Sequence, residues 1–526
     1  MKGQIILHPF LLACFPVLFL YTYSLQMTPF HEIVRSAIIV LSLTLSLWLI
    51  TLRYVQSPLK SGLIVSLFLF LFITYGYVLV VTSPAGQFPN WGGHSRHVGV
   101  QLLLVVLFMG GSRLITRANR KLIKATNLAN FASACLVAFN LVAETIDLAS
   151  AETRMPPLDS ASRPEAMPKP SRPSIYYIIL DEYGREDMLR DFFQMDNSAF
   201  VDHLTQDGFY VARSSRANYC NTLQSLASSL NFSYLDRLVT YVGSESSDRH
   251  PLGRMIRDNQ VARFLRNQGY EFVAFSSGIS LTEMDEADIY LKPFWALNQF
   301  EYTLLLTCPM GQLSPLLQFQ NELHRQRLNY TFAHLADFAK SKTPVFVFAH
   351  ILAPHSPFVF GEHGERVNGS SDRSIETGFR FYGERATYVR NYRAQLCYVN
   401  AQIEKTIDSI LAQSLEPPVI ILQSDHGSGS NFDRENLANS NLQERMSILN
   451  AYYFPGKGAA RLYPTITPVN TFRILFDEYF GTRLHQLEDR SYFETWSHPY
   501  HFIDISDRLN SVRGPETTTT KAQVMN

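Results

Sequence analysis

The sequence predicts an α-helical membrane domain of five spans followed by an α/β domain, a mostly parallel sheet with helices on both faces. Three observations lead there. Five apolar runs crowd the first 150 residues, a proline-rich stretch comes next, and strand-like and helix-like segments then alternate to near the end of the 526-residue chain.

The apolar runs lie at about 8–25, 36–55, 62–82, 98–116 and 127–147. Each is close to the ~20 residues that a helix needs to cross hydrocarbon, and together they are too many for a cleaved signal peptide. The fourth, "VGVQLLLVVLFMGGSRLI", is the shortest and carries a glycine pair. Lys+Arg and Asp+Glu both number 46 in the whole chain, so net charge offers no signal of nucleic acid. Residues 1–150, however, hold ten basic side chains and only three acids, Glu32, Glu144 and Asp147. The densest basic cluster, Arg113, Arg117, Arg120, Lys121 and Lys124, marks a cytoplasmic loop. With five spans, the N-terminus is then cytoplasmic, and everything beyond residue 150 lies outside a plasma (inner) membrane, in a periplasmic or extracellular space. Arg53 and Lys60 fall on the cytoplasmic side, whereas Arg35 and Arg96 oppose the rule. Tyr, Trp and His around 75–97 fit an interfacial belt.

The domains expected are a transmembrane unit 1–148, a linker 149–173, a catalytic domain 174–510 and a disordered tail 511–526. The linker holds six prolines and reads as an extended spacer. In the outer domain, "SIYYIIL" (174–180), "EFVAFSS" (271–277), "PVFVFAHI" (344–351) and "PPVIILQS" (417–424) read as buried strands, apolar with little alternation. Helical segments lie between them, including "RMIRDNQVARFLRNQGY" stopped at Gly269, "LQFQNELHRQRLNYTFAHLADFAKS" and "YRAQLCYVNAQIEKTIDSILAQS". Such alternation predicts a parallel sheet covered on both faces. Cys220, Cys308 and Cys397, spread along the outer part, form no disulfide framework.

The residues just beyond each strand are more specific. The first strand runs into Asp181-Glu182, the third into His350 and His355, and the fourth into Asp425-His426. Ligands of open α/β sheets bind beyond the carboxyl ends of the strands, so metal-capable side chains converge on one rim. Asp181, Asp425 and His426 offer the oxygen and nitrogen donors of a divalent metal site, although "SDHG" alone is also an ordinary polar turn. Thr222, where a helical pattern begins in "NYCNTLQSLASSLNF", is either an N-cap with Asn221 as competitor or a nucleophile activated by metal and helix N-terminus. Arg185 could hold an anion or simply form a salt bridge. His350, inside the strand run, reads as structural, and "YFETWSHPYHF" with His498 and His501 reads as a packed terminal segment.

The order "YYIILDEYGR", "ANYCNTLQSLASSLN", "HILAPHSPFVF", "ILQSDHG" resembles the alkaline phosphatase/sulfatase superfamily, in particular its membrane-anchored branch of lipoteichoic acid synthases and phosphoethanolamine transferases. The resemblance implies Asp181, Thr222, Asp425 and His426 as metal ligands, Thr222 as nucleophile as well, and His355 as the group that contacts the phosphate or protonates the leaving group. It also implies one or two divalent ions (Zn, Mn or Mg), a membrane lipid as donor and an envelope lipid or glycan as acceptor. Two features depart from the family pattern. Glu182 comes after Asp181 where the transferases have a single Glu, and is a second ligand or the start of a turn. Cys220 is followed by Asn-Thr-Leu-Gln, so the Cys/Ser-x-Pro-x-Arg motif of formylglycine sulfatases is absent. The expected activity is phospho-alcohol transfer through a phospho-threonine. Alternatives are a sulfatase-like hydrolase of phosphate or sulfate esters and a non-catalytic membrane-tethered binding module.

Overall fold

In a computed structural model, residues 4–23, 28, 30–81, 94–118, 122–152, 172–294, 296–306, 314–367, 384–456 and 458–511 are described. Most of the predicted linker, the predicted tail from 512 and Cys308 lie outside them, as do Arg120 and Lys121.

Five apolar helices open the chain: α1 (His8–Tyr23), α2 (Phe30–Val55), α3 (Pro58–Val81), α4 (His94–Arg117) and α5 (Leu122–Glu152). The last four are long and apolar enough to cross a membrane, whereas α1 has 16 residues. α1 packs on α5, α2 and α3. Asn130 of α5 ties down the start of the chain by accepting from the Leu7 and His8 amides at 2.9 and 2.8 Å. The outward faces of these helices are apolar, with Leu43, Leu103, Phe131 and Phe139 exposed, as lipid-facing positions require.

The extracytoplasmic end of α2 in the predicted topology grips the second domain. Arg35 forms a two-pronged ion pair with Glu301 and donates to the Ala296 carbonyl at 2.9 Å. Beside it, His31 pairs with Asp285, and Ser280 donates to the Glu32 carboxylate at 2.8 Å. The helix Gln299–Leu306 brings Phe300 into a small core with Val17, Leu20, Tyr21 and Ile33 of α1 and α2. Arg35, an exception to the charge rule by sequence, thus has a partner in the outer domain.

That domain is built on a seven-stranded sheet. Its strands are β1 (Ile175–Leu180), β2 (Tyr210–Val211), β3 (Glu271–Phe275), β4 (Ile289–Leu291), β5 (Val345–Ile351), β6 (Val419–Gln423) and β7 (Asn450–Tyr453), in the order β2-β7-β6-β1-β5-β3-β4. The run β6-β1-β5-β3-β4 is parallel, and β7 and β2 add an antiparallel edge. β1 lies between β5 and β6 with every side chain buried, which explains its unbroken apolar run. Ile175, Tyr177 and Ile179 face one helical layer, and Tyr176, Ile178 and Leu180 the other. The mostly parallel sheet with two helical faces is therefore observed.

Two local differences have clear causes. The segment expected as one helix ending at Gly269 is two, His250–Arg257 and Gln260–Asn267, because the Asn259 side chain accepts from the Ala262 amide and starts the second helix anew. The strands β2, β4 and β7 escaped the sequence reading because two to four residues are too few to show a period. Beyond the sheet, a hairpin of β8 (Tyr492–Phe493) and β9 (Ile503–Asp504) bridges to Tyr219 and underlies the Thr222 region.

Candidate active site

The rim above β1, β5 and β6 collects the titratable groups. β1 hands over to Asp181, whose amide continues the ladder by donating to the Ile351 carbonyl at 3.0 Å. Glu182 comes next with φ of 64°, a left-handed conformation costly for a residue with a Cβ. Surrounding bonds hold it there: Tyr388 donates to Oε2 and Arg445 to Oε1, each at 2.9 Å, while Tyr392 donates to its carbonyl at 2.7 Å. Strain of this sort, held by neighbours, is common at functional sites.

β6 leads into Ser424-Asp425-His426-Gly427. Gly427 is required by space, since a Cβ there would collide with the Glu444 carbonyl. Asp425 Oδ1 accepts from the amides of His426 and Glu182 at 2.9 and 3.3 Å. The imidazole of His426 donates from Nδ1 to the Gly427 carbonyl at 3.1 Å, which leaves the Nε2 lone pair facing the cleft.

The third contribution is the helix Thr222–Ser229. Asn221 is its N-cap, but its side chain does not cap; it bonds Glu494 Oε1 at 3.0 Å, as does its amide. Thr222 therefore occupies the first helical position, and its Oγ1 lies 3.0 Å from His426 Nε2. One turn on, Ser225 donates to the Asp425 carbonyl at 2.7 Å and locks the helix to the β6 turn.

Asp181, Asp425 and His426 bring one donor atom each within 4.8 Å of one another, all buried. Asp181 Oδ1 and Asp425 Oδ2 find no hydrogen bond of normal geometry, although buried oxygens almost always have one. Both lie by His426 Nε2, at 3.8 and 3.2 Å. Burial and the charge of Asp181 push the Asp425 carboxyl up to about 7. Burial acts on Asp181 in the same sense, but His355, His350 and His426 outweigh it and hold the carboxyl below its usual range. Burial, reinforced by Arg445, keeps His426 neutral, well below its normal pKa. Two carboxylates with idle oxygens beside a neutral imidazole and a hydroxyl fit a divalent cation, which would satisfy all four at once.

Of the other candidates, His355 lines the same cleft with its Nε2 3.8 Å from Glu182, while its Nδ1 donates to the Ser356 carbonyl. Arg185, open by sequence between anion holder and salt bridge, forms the salt bridge: Asp187 engages it at 2.7 Å through both oxygens, and the Ser215 carbonyl takes its remaining arm. It does not line the cleft. Glu182, open between ligand and turn, faces Arg445 and Tyr388. The Cys220 thiol is buried, donates to the Glu494 carbonyl at 3.4 Å, and is held well above its normal pKa by burial.

Sequence reasoning missed several supporting groups. His350 Nε2 bonds Asp181 Oδ2 at 3.1 Å and so aims the other oxygen at the cluster. Arg445 and Glu494 carried no sequence signal, since each becomes functional only through a distant partner. Trp496, from the terminal segment read as mere packing, lines the cleft between Arg249 and Arg434, stacked at 4.2 and 5.0 Å. His498 and His501 of that segment are exposed.

A family model described as Sulfatase matches residues 173–472, more than half of the chain, and the chain belongs to that family, within the alkaline phosphatase/sulfatase superfamily. It is an enzyme of that superfamily. No curated protein matches it. Among solved structures it is similar to the C-terminal periplasmic domain of EcEptC from Escherichia coli in complex with Zn, at 12% identity and TM-score 0.46, covering 68% of this chain and 98% of that one. It is also similar to the integral membrane lipooligosaccharide phosphoethanolamine transferase A from Neisseria meningitidis, at 12% identity and TM-score 0.39, over 92% and 97% of the two chains. A third is BT33494S-sulf of Bacteroides thetaiotaomicron, at 15% identity and TM-score 0.38, over 58% and 72%. At such identities these likenesses say nothing of substrate.

Proposed function

We propose that this enzyme is a membrane-anchored, metal-dependent phosphotransferase of the cell envelope, which moves a phospho-alcohol head group from a lipid to a lipid or glycan hydroxyl through a phospho-threonine at Thr222. The observation that carries this reading is the position of Thr222 Oγ1. It sits at a helix start, 3.0 Å from His426 Nε2 and beside a carboxylate pair with idle oxygens.

Asp181, Asp425, His426 and Thr222 would hold a divalent metal, Zn, Mn or Mg. Such an ion lowers the pKa of a nearby hydroxyl and offsets charge on phosphoryl oxygens. Thr222, entering as the alkoxide once its hydroxyl proton has gone to solvent, attacks phosphorus through Oγ1, the bond from phosphorus to the donor's alcohol oxygen breaks, and His355 Nε2 passes its proton to that oxygen. The Nδ1–H bond to the Ser356 carbonyl fixes Nε2 as the exchanging atom. Amides of the first helical turn, without intrahelical partners, face the phosphoryl oxygens. An acceptor hydroxyl then gives its proton to Nε2, attacks phosphorus and releases Thr222.

The membrane contact supports a lipid donor. Gln299 both lines the cleft and begins the helix that packs between α1 and α2. This contact supports a cleft wall held near the membrane surface, with the N-terminus cytoplasmic and the catalytic domain periplasmic or extracellular. Ester hydrolysis, with water as acceptor, is the second reading and is favoured by the family's own description.

Mass spectrometry of the full-length protein after incubation with an envelope lipid extract tests the proposal. A mass added to Thr222 names the transferred group. Absence of an adduct, together with full activity of Thr222→Ala, refutes the assignment.

A further inference from the structure

A second cavity adjoins the catalytic cleft. It offers about 50 Å3, shares Ile279, Gln299 and Leu352 with the cleft, and among the described residues has no Asp or Glu in its walls. On its membrane side Asn298 donates to the Glu32 carbonyl of α2 at 2.9 Å.

Arg327 supplies its charge. The residue lies on the helix Ser314–His334, is only 9% exposed, and has no acid within ion-pair distance among the described residues. Nη2 donates to the Leu297 carbonyl at 3.2 Å, and Nε has no partner. The guanidinium lies against Gly278, where a Cβ would collide with it. The acid whose field reaches it is Glu283. That carboxylate already accepts from Ser276, Gly278 and Tyr290, each at 2.8 Å, and from the Ser277 amide at 3.1 Å. Glu301 is likewise taken by Arg35. A buried charge without a partner is costly, and a guanidinium fork suits oxyanions. The polar walls, Asn298, Gln299 and Gln320, offer further donors.

We propose that this cavity is a second anion site, which takes a phosphate-type oxyanion with Arg327 as its counter-charge, beside but separate from the group that Thr222 attacks. The inference does not depend on the Thr222 chemistry, and its readout is binding rather than turnover. Its source is a membrane-lipid head group or a free phosphate.

The test uses full-length Thr222→Ala in detergent, stripped with EDTA so that the catalytic cluster is silent, and tracks Tm as inorganic phosphate is added. A saturable rise is expected, and Arg327→Gln should lose it. In phosphatidylcholine vesicles with or without phosphatidylglycerol, a rise that needs both phosphatidylglycerol and Arg327 identifies the lipid head group as the source. Gln320→Glu guards against a variant that does not fold: a carboxylate in the cavity wall should raise the basal Tm and abolish the anion response. Equal responses with and without Arg327, or no response in either arm, overturn the proposal.

Discussion

Thr222 and Asn221 divide the duties that one residue could have combined. Asn221 takes the cap position, yet its amide is held by Glu494, so the hydroxyl at the next position is free to face His426. Thr222→Ala should therefore lower turnover by at least about 10³-fold while changing stability by no more than ~1 kcal/mol, as measured by kinetics and thermal unfolding. Asp425→Asn replaces an idle, buried carboxylate oxygen and should reduce bound metal by elemental analysis; full occupancy would remove Asp425 from the ligand set. Glu494 gives a pH signature. Burial pushes its carboxyl up to about 8, against about 4.3 in an unfolded chain. Between those values the native state keeps a proton that the unfolded state has lost, so stability falls as pH rises, by at most about 1.4 kcal/mol per unit. Glu494→Gln should flatten the fall of Tm between about pH 5 and 8. Asp425, raised to about 7, contributes a fall of the same sign that the variant leaves in place.

At the scale of elements, long segments were legible and short ones were not. The four central strands appeared as apolar runs because both faces of the sheet are covered, and α2 to α5 because hydrocarbon demands length. Conversely, β2, β4 and β7 exist by pairing with neighbours. The helix Gln299–Leu306 is merely apolar in sequence, and only its packing on α1 and α2 gives it a role. The ion pair that fastens it joins Arg35, about half exposed, to a buried Glu301. Arg35→Ala leaves that carboxylate without its partner and should destabilise the protein by about 1–2 kcal/mol, between the values for surface and buried pairs. Glu301→Gln, which leaves only an exposed arginine, should cost less, and denaturation of the two variants in one detergent gives the comparison.

For the whole molecule, orientation and metal content are the measurable consequences. A reporter fused after residue 160 should be active only outside the cytoplasm; activity inside would invert the topology. Removal of metal with EDTA should lower Tm, because a cation that binds only the folded cluster stabilises the folded state. The sequence by itself determined the membrane anchor and the α/β class, because hydrocarbon thickness and strand burial act locally and leave local patterns; it singled out Asp181, Asp425 and His426 as candidates at strand ends, and Thr222 and His355 through a family resemblance. Tertiary structure alone decided that Arg185 belongs to Asp187, that His350, Glu494 and Arg445 surround the candidate site, and that Arg327 is buried without a carboxylate partner among the described residues. A side chain's partner depends on what the fold brings to it from hundreds of residues away, and local pattern holds no record of that.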